Sequence, residues 1–254
     1  MDPQAPSMGL AGFLGYMMEF LEVDQVHKYF GGIPALQGVS LRVEKGKIHG
    51  VIGPNGAGKT TMFNVINGVY SPDEGTVIFK NREITGLKPN QIASMGIGRT
   101  FQVARVFNEM TLMENMMVPL IPRRVSKTEG EKKASELLEM AGLTHLRDQL
   151  AVEISGGQKK LLEFMRSMMA DPEVILLDEP FAGVNPALIE RLIEITFELN
   201  KSREKTFLLI SHDIPSVMKL CKNLTVLSAG TTIAEGISEK VRHDPAVIDA
   251  YLGH

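Results

Sequence analysis

Cysteine is nearly absent from this 254-residue chain, and tryptophan is wholly absent. The single Cys221 excludes an intramolecular disulfide and any cysteine-based metal cluster; in its apolar stretch it reads as a small core residue, and a reducing, cytosolic setting fits. Basic excess is missing too. Lys and Arg number 27 against 30 Asp and Glu, a net charge of −3, whereas dedicated nucleic-acid binders show the opposite imbalance. Arg123-Arg124 and Lys159-Lys160 therefore read as solvated faces, and no nucleic-acid partner is expected. Long apolar runs are also lacking. The nearest, Met8 to Leu21, falls short of the ~20 residues that span a bilayer, is interrupted by Glu19 and lacks the basic start of a secretory signal. It reads as a flexible or loosely docked extension over residues 1–20, with membrane contact as the alternative. No internal repeat or low-complexity tract is present. What remains is an ordinary globular composition, 44% hydrophobic and 22% charged, in a chain long enough for one large domain with an insert.

Against that background one stretch stands out. Gly53-Pro54-Asn55-Gly56-Ala57-Gly58-Lys59-Thr60, followed by Thr61, matches the phosphate-loop pattern G-x-x-x-x-G-K-[ST]. Lys47 to Ile52 before it reads as a buried strand, and Thr60 to Val69 after it has helical spacing, the context the pattern requires. Glycines there let backbone N–H groups turn inward around a polyphosphate at a helix N-terminus, where the dipole also favours anions. Lys59 adds a point charge for the outer phosphates, and the Thr60 hydroxyl can ligate magnesium. A nucleoside triphosphate is the expected ligand.

The rest of the chain sorts by period. Leu21 to Val26, Val39 to Val43 and Thr76 to Phe79 alternate or follow turn signals, which predicts an antiparallel sheet beside the nucleotide core. Beyond about Phe101 the pattern becomes helical: Met110, Met113, Met116 and Met117 recur at helical spacing, as do Ala134, Leu137, Leu138 and Ala141, and Gly142 reads as a stop. The methionine stripe reads first as core filler and second as an adaptable docking face. Short apolar runs then return at Val174–Leu177, Phe207–Ile210 and Leu224–Leu227, separated by helical stretches, the mark of buried parallel strands. The predicted fold is therefore α/β: a phosphate-loop core with a parallel sheet, an antiparallel β subdomain and a helical subdomain inserted over residues 103–170.

Two further constellations narrow the chemistry. Val174 to Leu177 ends in Asp178-Glu179, which places two carboxylates at the C-terminal end of a core strand, where α/β folds hold their ligands. Asp178 would hold hydrated magnesium, and Glu179 can orient and polarise an attacking water. Ile154-Ser155-Gly156-Gly157-Gln158 sets a good N-cap before a helix with an apolar face, so Ser155, Gly156, Gly157 and Gln158 form a second anion cradle. Two phosphate cradles and one pair of acids suggest that each cradle serves a different nucleotide.

Together these residues resemble the ATP-binding cassette (ABC) ATPases, from about Leu21 to Leu252. The resemblance implies several roles. Gln102 looks like the Q-loop glutamine that helps bind magnesium and reports on the γ-phosphate, and His212 is similar to the family's switch histidine. Phe30 looks like the aromatic that stacks on adenine, with Tyr29 as second candidate. Catalysis would then fall to Glu179, His212, Lys59 and Gln102; the metal to Thr60, Gln102 and Asp178; and ATP to Phe30 and Gly53 through Thr61. Asn185 stands where the family usually has an aspartate that contacts the partner subunit. The resemblance further implies a head-to-tail dimer with ATP between the phosphate loop of one subunit and Ser155–Gln158 of the other. It also implies partner permeases, an extracytoplasmic substrate-binding protein, and a cytoplasmic position on the inner face of the membrane.

Gly98-Arg99-Thr100-Phe101-Gln102, Glu114-Asn115 and the ending Asp244 to Gly253 resemble the ATPase subunits of branched-chain amino-acid importers. The run Asp178 to Val184 is similar to the ATPase of lipopolysaccharide export, the alternative transport reading. Soluble cassette ATPases of translation or DNA repair are the non-transport alternative; their second cassette or long coiled coil has no counterpart here.

Overall fold

The computed structural model describes residues 19–252. The sequence-predicted extension lies almost wholly outside them, and strand β1 (Glu19–Phe30) takes in that segment's last two residues. β1 pairs antiparallel with β2 (Ile33–Glu44) and with β4 (Glu74–Phe79), and β4 pairs with β5 (Arg82–Glu83). The alternation in β1 puts Leu21 and Val23 in the core and then shifts phase to Val26. A bulge explains the shift: Gln25 has φ 47° and the pairing slips between Val23 and Val26, which returns an apolar side chain to the buried face.

The second sheet runs β10-β9-β3-β8-β7-β6. Its strands are β3 (Ile48–Ile52), β6 (Ile97–Arg99), β7 (Val174–Asp178), β8 (Thr206–Ile210), β9 (Asn223–Ser228) and β10 (Thr231–Ile237). All neighbours are parallel except β9 and β10. Because successive side chains point to opposite faces, each apolar strand is shared between two cores. Val51, Val174, Leu176, Leu208 and Ile210 face the antiparallel sheet and helix α1 (Lys59–Ile66), where Met62, Phe63 and Ile66 are buried. Ile52, Ile175, Leu177, Phe207 and Leu209 face the opposite way, onto the helices.

After α1 comes α2 (Pro89–Ser94). The helical segment contains α3 (Leu112–Met117), α4 (Lys127–Met140) and α5 (Gly156–Met168); beyond it lie α6 (Pro186–Arg203), α7 (Ile214–Leu220), α8 (Ser238–Val241) and α9 (Pro245–Leu252). Caps fix the starts: Thr111, Ser126, Ser155, Asn185 and Asp213 each accept a backbone N–H from the first turn. Gly142, with φ 71°, follows the C-cap of α4 as expected of a stop. Met113 and Met116 are buried in the helix-side core, so the methionine stripe is mainly core, and of its members Met110 is the exposed one.

Candidate functional site: a phosphate cradle at the ends of parallel strands

The phosphate loop leaves the C-terminal end of β3 and enters α1 at Lys59. Two of its glycines are dictated by crowding as well as by conformation. A side chain at Gly53 (φ 151°) would put its Cβ 2.1 Å from the Leu227 carbonyl, and one at Gly58 (φ 100°) would put it 2.6 Å from the Ala35 carbonyl. The loop is therefore wedged between β9 and the start of β2, which fixes where its N–H groups point. Inside it, the buried Lys59 ammonium donates to the carbonyls of Gly53 (2.7 Å) and Pro54 (2.9 Å). Burial pulls Lys59 below the ordinary lysine range, and the charges of Glu179 and Asp178 work against that shift.

The two acids sit one strand beyond β8. Asp178 is the last residue of β7, and Arg99 at the end of β6 donates to its Oδ2 at 2.8 Å. The same guanidinium donates to Asn64 Oδ1 on α1 at 2.7 Å. Both members of the ion pair are almost fully enclosed, at 5% and 4% side-chain exposure. Asp178 Oδ1 is buried with no hydrogen-bond partner. Glu179 leaves the strand in the left-handed region, φ 49°, which costs a non-glycine residue about 1–3 kcal/mol. Its N–H still donates to the Ile210 carbonyl of β8 at 2.9 Å. The strain turns its side chain across the strand ends to His212, just past β8: the His212 N–H donates to Glu179 Oε2 (3.2 Å), and His212 Nδ1 lies 2.8 Å from the same oxygen. A carboxylate only accepts, so Nδ1 carries the proton in this contact. Lys59, Asp178, Glu179 and His212 thus converge at the C-terminal edge of the parallel sheet.

Other expected residues lie around this centre. Gln102, three residues past β6, is exposed, as is the Thr60 position. Phe30 closes β1 with its ring half exposed and edge-on to Tyr70 at 5.1 Å, while Tyr29 turns instead to His27. Ser155 caps α5, accepting from the Gln158 N–H while Gln158 Oε1 accepts the Ser155 N–H. Among the described residues no hydrogen bond joins that tip to the loop from Gly53 to Thr60. Asn185 caps α6 through the Leu188 N–H, a task Asn and Asp perform equally well.

Three residues emerge only from the folded arrangement. Arg99 is the buried counter-charge of Asp178. Lys160 on α5 donates to the carbonyls of Glu179 (3.1 Å) and Ala182 (2.6 Å), pinning the turn behind the strained acid. Tyr251 on α9 is packed against the helix-side core; its hydroxyl is buried with no hydrogen-bond partner, and burial, with the Glu179 charge adding to it, pushes the phenol up to about 12, so it is neutral near pH 7. Arg99 and Tyr251 both fall in runs the sequence singles out, but nothing in the runs says what they touch.

The chain's similarities run along the same elements. Residues 36–182 match the family model described as ABC transporter, and residues 231–254 match one described as branched-chain amino acid ATP-binding cassette transporter. The chain is 40% identical over 248 residues to a probable branched-chain amino acid transport ATP-binding protein LivG of Archaeoglobus fulgidus, covering 93% of this chain and 96% of the relative. It is 38% identical over 248 residues to the high-affinity branched-chain amino acid transport ATP-binding protein LivG of Escherichia coli, covering 92% and 97%. Among solved structures, the ADP conformation of MJ1267, an ATP-binding cassette of an ABC transporter, superposes with a TM-score of 0.85 at 39% identity, covering 93% of this chain and 100% of that one. A dimeric post-hydrolysis cassette, MJ0796 bound to ADP and phosphate, gives 0.79 at 28% identity, covering 86% and 99%.

Proposed function

This chain belongs to the ATP-binding cassette ATPases of ABC transporters, and on that premise we propose that it powers uptake of branched-chain amino acids through partner permeases. The ATPase activity follows from the family; the cargo is the further step. One observation carries that step: residues 231–254, downstream in sequence of the phosphate loop and the strand-end acids, match the C-terminal model of the branched-chain group, and the curated relatives bear that name over nearly their whole length.

The residues support the following division of labour. Gly53 through Thr61 cradle the phosphates, with Lys59 leaving its loop carbonyls to meet the outer oxygens. Phe30 stacks on the base. Magnesium fits the centre by one test: Asp178 Oδ1 is a buried acceptor without a partner, while Thr60 follows Lys59 on α1 and Gln102 lies three residues past Arg99. Thr60, Gln102 and Asp178 would hold the ion, which would supply positive charge against the phosphates. Glu179 accepts a hydrogen bond from the attacking water and aims it, while His212 holds the carboxylate on its other side and stands ready for the γ-phosphate. Ser155 to Gln158 complete the site of a second cassette, which makes ATP the bridge of a head-to-tail dimer.

No helix among the described residues is long and apolar enough to cross a membrane, so in this reading the membrane path comes from permeases on whose inner face the cassette docks. Of the methionine stripe only the Met110 end offers a docking face: Leu112, Met113 and Met116 are buried, whereas Val103, Phe107, Met110 and Val152 are exposed. Phe107, Met110 and Val152 lie together, since the Val152 N–H donates to Asn108 and the Ala151 N–H to Met110. A periplasmic-type binding protein would deliver the cargo.

The test is uptake of labelled leucine, isoleucine and valine by a strain lacking the gene, complemented with the wild type or with Glu179→Gln. We expect wild type to restore uptake. The variant should bind ATP yet lose about 10²–10⁴ of its turnover and fail to restore transport. Unchanged uptake in the deletion strain, with a defect in lipopolysaccharide export instead, would overturn the cargo; unchanged turnover in the variant would overturn the role of Glu179.

A further inference from the structure

Beyond its capped tip, α5 carries Lys160, Glu163 and Arg166 at three-residue spacing, neighbours up one side of the helix. Lys160 holds the Glu179–Ala182 turn. Glu163 is buried, and its two oxygens are divided: Oε1 accepts the Arg105 N–H at 2.8 Å and Oε2 accepts the Phe101 N–H at 3.3 Å. Arg166 donates to the Arg105 carbonyl and, at 3.4 Å, to Asn115 Oδ1. The Arg105 guanidinium lies 4.0 Å over the Phe101 ring, closing the same loop from outside. Phe101 and Arg105 flank Gln102, whose own side chain is exposed.

We propose that Glu163 is the positioning residue for Gln102: one buried carboxylate grips the backbone on both sides of it and sets its distance from the phosphate centre. The physical reason is divalency. A loop residue with an exposed side chain has no packing to hold it, whereas two backbone N–H groups bonded to one enclosed carboxylate remove most of the intervening freedom. Burial pushes Glu163 above the usual carboxylate range, opposed by those two N–H groups and by the charges of Arg166 and Lys160, so the grip is retained where the group is ionised. Because Glu163 shares its helix with Ser155–Gln158, any shift of that tip on the partner's nucleotide is also delivered to Gln102. The proposal rests on the reading of Gln102 as a magnesium and γ-phosphate residue.

Two readouts test it in the full chain. In the first, Gln102→Cys carries a spin label; the only native thiol, Cys221, is buried and pushed far up by burial, so labelling is selective. Glutamine at 163 offers one acceptor oxygen and alanine none, so label mobility should rise in the order Glu, Gln, Ala. Equal mobility in all three would overturn the proposal. In the second, without the label, Glu163→Ala should lower kcat about tenfold or more while the KM for ATP stays within about threefold. Adding Gln102→Ala should cost nothing beyond Gln102→Ala alone, because both remove one function. Fully additive losses would overturn it. Should Glu163→Ala fold poorly by thermal melting, Glu163→Gln gives the same comparison. If Gln102→Ala leaves turnover at the wild-type level, the reading of Gln102 fails, and label mobility alone decides whether Glu163 grips the loop.

Discussion

Replacing Arg99 by methionine would strip Asp178 of its counter-charge and leave a carboxylate that is only 4% exposed. Methionine keeps the length and apolar stem of the side chain, so the loss is chiefly electrostatic. A buried ion pair is weak grounds for high stability, since an apolar pair of the same volume often serves as well; breaking one partner out of it is different, and costs about 3–5 kcal/mol. Arg99 also gives up its bond to Asn64 Oδ1 at 2.7 Å and its place beside the Phe63 and Phe101 rings, which keeps the figure towards the upper end. At about 2–4 °C per kcal/mol for a domain of this size, the melting temperature should fall by about 6–20 °C. Asp178→Asn in the same background removes the stranded charge and should recover part of that loss, giving a coupling energy of about 1–3 kcal/mol in the double-mutant cycle. Urea unfolding of the four proteins at neutral pH, with equal m-values as the check on two-state behaviour, measures it. A cost below about 1 kcal/mol for Arg99→Met, or strict additivity of the two substitutions, would refute the view that this pair is a closed unit.

Two more outcomes follow from single residues. Gly156 opens α5 with nothing within 4 Å of where a Cβ would stand, so alanine there should stabilise the isolated chain by about 0.4–1 kcal/mol while, in the proposed dimer, obstructing the cradle for the partner's phosphate. Thermal melting and steady-state ATPase together check this, and a stabilised variant with unimpaired turnover would show that the tip does not contact nucleotide. His49 is buried on β3 with Nε2 2.8 Å from Thr225 Oγ1, and burial lowers its pKa from 6.5 to about 4. A lowered pKa means the unfolded chain binds the extra proton first, so this stability is present above pH 6.5 and drains as pH falls towards 4, by at most about 3 kcal/mol. Unfolding free energies of wild type and His49→Leu across that window should converge at the acid end; parallel curves would remove His49 from the account.

Some of this architecture is legible in one dimension because its chemistry is local. A phosphate loop needs glycines, a lysine and a hydroxyl within one turn, and Gly53 to Thr60 supply them. A strand end needs four apolar residues before its acids, and Val174 to Glu179 has that order; Ser155 and Asn185 cap helices through residues three positions away. The alternating runs foretold the antiparallel sheet, the short apolar runs the parallel one, and Gly142 the end of α4. The folded chain alone decided what lies across those segments: Arg99 meets Asp178 over a separation of 79 residues, and Glu163 meets Phe101 and Arg105 over 62 and 58. It also decided that Met113 and Met116 face the core while Val103 and Phe107 face out. The physical reason is that backbone conformation and capping are settled within a few residues by sterics and hydrogen bonds. The partner of a buried charge is instead settled by which strands the hydrophobic cores bring side by side, a property of the closed fold that no local spacing records.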